Sequence, residues 1–244
     1  RFDPIDPDAD FIILESWWNK AYSPLVKIRI SDSNDTLVIF RKTNDSAIPR
    51  KLDSILGIIY ASEADKTDLL EYYIKLGVSP DARCRDGSTP LIRAADRGNL
   101  DSVKFLLRYK AAINAQTDVG STALMAAVSN QRKSVADYLL QQGADVNLHT
   151  NDGWNALMAA AQKGDAPLAE LLLQEGADPN HQIHDGNTPL TVAVFHGNSK
   201  VVKALLQHGA NPNLPNYSGG TALGAAQAKG FYSIIRLLKK YGAH

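Results

Sequence analysis

One cysteine, Cys84, stands among 244 residues. A lone thiol excludes an internal disulfide and a cysteine-built zinc finger, and Cys84 is read as an inert structural residue. Net charge is missing too, since 26 Lys and Arg offset 26 Asp and Glu. That balance gives no reason to expect nucleic acid or an anionic membrane surface as the partner. No apolar run is long enough to cross a bilayer, so direct membrane insertion is not expected. Glycine-rich phosphate loops, a Gly-x-Ser-x-Gly elbow and a His-Glu-x-x-His pair are all lacking. His181-x-x-His184, with His196 nearby, is the one close histidine pair. It spans a turn without a third ligand, so neither a metal nor a cofactor is expected. Asp118, Asp152 and Asp185 fall at turns, where aspartate has a structural use, and no catalytic residues or enzymatic activity are expected. Tripeptides at Asn34, Asn44 and Asn216 match glycosylation acceptors, a pattern too common to carry weight.

What the chain does have is a period. Thr89, Thr122, Asn155, Thr188 and Thr221 follow one another at intervals of 33 residues without insertion. Two residues later come Leu91, Leu124, Leu157, Leu190 and Leu223; five later come Ala94, Ala127, Ala160, Ala193 and Ala226. Gly143, Gly176, Gly209 and Gly242 keep the same register, with Lys110 as the exception, and Asn114, Asn147, Asn180 and Asn213 close each unit. A fixed period of this length means stacked copies of one supersecondary unit. Thr-Pro at 89–90 and 188–189 reads as a helix start, with threonine as cap and proline in the first turn. Leu171, Leu172 and Leu173 give a second helix its buried face, and the glycines suit left-handed helix ends. Asp86-Gly87, Asp152-Gly153 and Asp185-Gly186 read as tight turns between short arms.

These residues, in stretches such as Asp86–Leu91 and Gly143–Asn147, resemble the ankyrin repeat over about four fifths of the chain. The resemblance implies a mainly α solenoid of about six helix-turn-helix units with β-hairpin loops, preceded by a small α+β cap. The units are expected at 53–82, 83–115, 116–148, 149–181, 182–214 and 215–244, making 53–244 the repeat domain. The first is degenerate, with Leu56 at the threonine position and no Asp-Gly or Thr-Pro. The family's usual histidine, three residues after the threonine, is replaced by Ile92, Met125, Met158, Thr191 and Gly224, so apolar packing is expected to take over its hydrogen bonding. Lys239 stands where the other units have leucine, as a terminal cap would.

Residues 1–52 fall outside the period. Apolar residues from Ile13 to Ala21, Trp17 and Trp18 among them, recur at helical spacing. Val26, Ile28 and Ile30 then alternate with polar residues, and Leu37-Val38-Ile39-Phe40 follows a polar turn, which reads as a β-hairpin. This head is expected to cap the open end of the stack; a second partner-binding element or a dimerisation edge is the alternative.

In ankyrin-like stacks, hairpin tips and the exposed side of the inner helices form a concave binding face. Carried over by position, that face comprises Arg85, Asp96, Arg97, Asp118, Asn151, Asp152, Trp154, Lys163, His184, Phe195, His196, Tyr217 and Lys229. Aromatic character gathers toward the C-terminal units and charge toward the N-terminal ones. Trp154, read as an exposed tip, is the expected anchor, unless it folds back onto a neighbouring hairpin. The layout is similar to bacterial ankyrin proteins that neutralise a toxic enzyme, including immunity proteins paired with type VI secretion phospholipase effectors. That resemblance implies a protein partner, a toxic enzyme of phospholipase type. The sequence begins at Arg1 rather than methionine, so a targeting segment could have preceded it; with that resemblance, an exported or lipid-anchored periplasmic protein is expected over a cytoplasmic one. A non-inhibitory adaptor and a host-targeted effector are the alternatives.

Overall fold

The computed structural model describes residues 26–29, 36–39 and 50–244, with side chains from residue 54 onward. The periodic threonines are where its helices begin. Thr89, Thr122, Asn155, Thr188 and Thr221 all have extended backbone, and each side-chain oxygen accepts a hydrogen bond from the amide three residues on. Those amides would otherwise be orphaned, because the first turn of a helix has no internal acceptor for them. At Thr188 the arrangement is reciprocal, with the Thr188 amide donating to the Thr191 hydroxyl at 2.7 Å.

The helices so started are α3 (Pro90–Arg97), α5 (Ala123–Ser129), α7 (Ala156–Lys163), α9 (Pro189–Phe195) and α11 (Ala222–Ala228). Each turns back into an outer helix: α4 (Leu100–Arg108), α6 (Lys133–Gln141), α8 (Ala166–Gln174), α10 (Ser199–Gln207) and α12 (Tyr232–Lys240). A preceding pair, α1 (Arg50–Glu63) and α2 (Thr67–Lys75), completes six. Inner helices contact one another in chain order from α1 to α11. The alanines five residues past each cap, Ala94, Ala127, Ala160, Ala193 and Ala226, are wholly buried, and a residue no larger than a methyl group is what lets these helices approach. Leu106, Leu139, Leu172, Leu205 and Leu238 seal the outer row with no exposed surface.

In the first pair, α1 already begins at Arg50, so Leu56 lies inside a helix rather than at its start. The missing cap signal there reflects a helix that runs through the place where the other pairs have a finger.

Position three after the cap is apolar and buried at Ile92, Met125 and Met158, hydroxyl-bearing at Thr191 and exposed at Gly224. Hydrogen bonding between neighbouring pairs runs instead along the closing asparagines. Asn147 accepts from the Asp178 amide and donates to the Gly176 carbonyl; Asn180 does the same with Asn211 and Gly209, and Asn213 with His244 and Gly242. Asn114 accepts from Asp145, and Asp81 from Ala112.

The N-terminal hairpin has β1 (Val26–Arg29) antiparallel to β2 (Thr36–Ile39), with Val26 opposite Ile39 and Arg29 opposite Thr36. The helix expected around Trp17 and Trp18 lies outside the described residues.

Candidate binding surface

Between the helix pairs, the chain projects five short fingers of identical construction. The amides of Cys84, Thr117, Thr150, Ile183 and Asn216 donate to the carbonyls of Ser88, Ser121, Trp154, Asn187 and Gly220, closing each base. The amides of Gly87, Gly120, Gly153, Gly186 and Gly219 donate back within the turn, all at positive φ. This is a tight turn followed by a left-handed residue, the commonest three-residue hairpin connection. Consecutive tips are joined by backbone bonds, Asp118 to Asp86, Asn151 to Val119, His184 to Asp152 and Tyr217 to Asp185, of 3.0–3.4 Å. The fingers therefore form one continuous row. Glycine is demanded twice over at Gly120 and Gly186, since a Cβ would lie 2.8 Å from the Thr150 Cα and 2.6 Å from the Tyr217 amide, in addition to the positive φ.

The row presents the paired tip residues to solvent. Arg85, Asp118, Asn151, Asp152, His184 and Tyr217 are exposed there, as are Arg97, Lys163, Phe195, His196 and Lys229 around the inner-helix ends. Two residues of the expected face are placed differently. Asp96 is half-buried and accepts from the Asn130 side chain at 2.8 Å, with its carbonyl taking the Arg132 Nε, so it ties two pairs together. Trp154 is half-buried and packs against the hydrophobic core. It sits not at the tip but on the return arm, where its carbonyl and amide both bond Thr150, one residue before the Asn155 cap. The expectation of an exposed tip tryptophan is corrected by that pairing.

Charge on the N-terminal side is largely self-satisfied. Arg93 bridges Asp86 at 2.8 Å and Glu63 at 3.6 Å, and Arg97 approaches Glu63 at 3.8 Å. Burial opposes ionisation of Asp86, yet hydrogen bonds from Ser88 and the charge of Arg93 hold its carboxyl below the usual range. At the next Asp-Gly tip, the Thr150 hydroxyl donates to Asp152 and lowers that carboxyl as well. Toward the C-terminus large aromatic side chains are exposed: Phe195 is 58% and Tyr217 73% exposed. The Lys229 ammonium lies 3.9 Å from the centre of the Phe195 ring, joining two adjacent pairs. Tyr232, 75% exposed at the start of α12, is absent from the expected face; of its periodic equivalents Lys133 and Ser199 are polar but Leu100 and Ala166 are not, so the sequence signal for its exposure is weak.

Other chemistry is accounted for locally. His181 Nε2 donates to the Gly153 carbonyl at 2.8 Å and its ring stacks on His149, while His184 stands on a tip. Among the described residues no cluster of three His, Cys, Asp or Glu side chains could hold a metal ion. Burial pushes the half-buried Cys84 thiol up, away from reactive thiolate. Asn216 accepts from Gly220 and Ser218 inside its own finger and donates to Asn187 of the preceding one, which leaves its side-chain amide engaged. No helix among the described residues is long and apolar enough to cross a membrane.

A family model described as ankyrin repeats (3 copies) matches residues 58–150, 111–183 and 157–244. The chain belongs to the ankyrin-repeat family. Among solved structures it is similar to an ankyrin repeat domain from Acinetobacter baumannii AYE, at 29% identity and a TM-score of 0.71, covering 77% of this chain and 98% of that one. No curated protein matches the chain in sequence. Ankyrin repeats generally bind other proteins and are typically not enzymes, and they indicate a protein–protein interaction module in this chain.

Proposed function

We propose that this ankyrin stack is a stoichiometric inhibitor, an immunity-type protein that holds a toxic enzyme against its fingers and inner-helix ends. A secreted lipase of phospholipase type is the partner class. In this reading residues 53–244 are the binding domain and residues 1–52 cap it. The observation that carries the proposal is the exposure of Tyr217 on a row of fingers locked tip to tip and of Phe195 at an inner-helix end. Large aromatic side chains on a rigid frame lose little conformational freedom on binding, and such residues dominate interface energetics. A row of this kind suits a broad macromolecular face. The similar domain from a bacterium is consistent with a bacterial setting.

The test is to purify the partner with the chain and titrate the partner's enzymatic activity. Inhibition complete at one equivalent, and weakened at least about tenfold by a Phe195→Ala, Tyr217→Ala double variant, is the expected result. Partner activity that is unchanged in the complex would make the chain an adaptor instead.

A further inference from the structure

The cations of this chain are treated differently at its two ends. Every ion pair among the described residues involves Lys75, Arg93, Arg97 or Lys104, all in the first two helix pairs. From residue 182 onward the sequence has Lys200, Lys203, Lys229, Arg236, Lys239 and Lys240 against one side-chain carboxylate, Asp185. All six of those cations are exposed, and none is paired within the described residues. The preceding unit is the reverse: Asp152, Asp165, Glu170, Glu175 and Asp178 face a single Lys163. The neutral whole thus hides a basic terminal quarter adjoining an acidic segment.

Aromatic surface meets that charge at the contact of Lys229 with Phe195. Phe195, Tyr217 and Tyr232 are exposed, and Lys229 is held over the Phe195 ring. An ammonium against a ring keeps N–H donors for a carboxylate, while the open part of the ring can take an apolar side chain. Lys203 and Arg236 occupy the same position in α10 and α12, so the cationic row advances by one helix spacing per pair.

We propose that the last two helix pairs form the recognition surface for a short acidic segment of a protein partner, one carrying an aromatic or aliphatic residue beside its carboxylates. This rests on the protein-binding reading above and specifies its ligand chemistry. Two adjacent helix rows span roughly 20 Å, matched by about six residues of extended chain. A longer polyanion such as nucleic acid would run onto the carboxylates of the fourth pair, which is why a short acidic segment fits better.

The test pans a random heptapeptide library on the immobilised chain, then measures the selected peptides by fluorescence anisotropy at two salt concentrations. The proposal predicts enrichment of Asp and Glu with Phe, Tyr, Trp or Leu. It also predicts binding weakened at least about tenfold by Lys229→Glu and by Lys203→Glu/Arg236→Glu, in variants whose thermal unfolding is unchanged, and steeper salt dependence than for Gln-substituted peptides. Arg108→Glu, in the second pair, should leave binding intact. Selection without acidic enrichment, no selection at all, or equal binding by the variants overturns the proposal. So does tighter binding of oligo(dT) or of phosphatidylglycerol vesicles through the same residues. If the captured enzyme is still inhibited in such a case, the inhibitor reading survives and only this assignment falls.

Discussion

Lys110 closes α4 with φ +65°, a left-handed conformation held by glycine at the equivalent positions 77, 143, 176, 209 and 242. An L side chain with a Cβ is disfavoured there by about 1 kcal/mol, so Lys110→Gly is expected to raise stability by roughly that amount in a denaturant titration. An unchanged midpoint would mean that the lysine makes a compensating contact. Trp154→Ala is expected to destabilise by about 3 kcal/mol, because the ring packs on the core. Full retention of stability with loss of binding would return Trp154 to the role of anchor. Asp86 and Asp152 both have depressed carboxyl pKa values in the folded chain. Their contribution is therefore present above the unfolded carboxylate value of about 3.9 and is lost as pH falls through the lower folded values. Stability measured against pH should be flat near neutrality and fall below about pH 4, with the fall shallower in Asp86→Asn.

At the scale of the element, the fingers depend on backbone geometry more than on side chains. Gly120→Ala forces both a positive φ on alanine and a Cβ into the next finger's backbone, and should cost about 2 kcal/mol or more while perturbing amides 150–151. NMR shifts confined to residues 117–121 would instead mean the fingers are independent. The helices were legible in the chain because a cap, a small residue and a leucine recur at fixed offsets, and physical chemistry ties each to one place: Thr89 to an orphan amide, Ala94 to a helix crossing. Leu56 was not legible as a mid-helix residue, since a period gives alignment but not how far a helix extends upstream of its usual start. Trp154 shows the same limit at the surface. Its offset put it beside the tips, but the bond from Thr150 to its carbonyl places it on the inward-returning arm. Asp96 was counted as surface because its partner, Asn130, lies 34 residues away and a sequence period does not reveal a side-chain bond.

At the scale of the molecule, each helix pair touches only its neighbours, and the uniform buried set of alanine and leucine is separate from the variable exposed set. Stability is thereby carried by residues other than the exposed ones, which lets Phe195, Tyr217 and Lys229 vary without loosening the stack. The last pair also ends in polar groups where inner pairs are apolar: Lys239 and Gln227 are exposed, while Leu206 and Val194 at the equivalent places are buried. The most direct measurement is hydrogen–deuterium exchange of the chain alone and with its purified partner. Slowed exchange at the finger tips and inner-helix ends, strongest over residues 184–187, 195–197, 217–220 and 228–232, is the predicted result. Slowed exchange confined to the outer helices α4, α6 and α8, with the fingers unchanged, would contradict it.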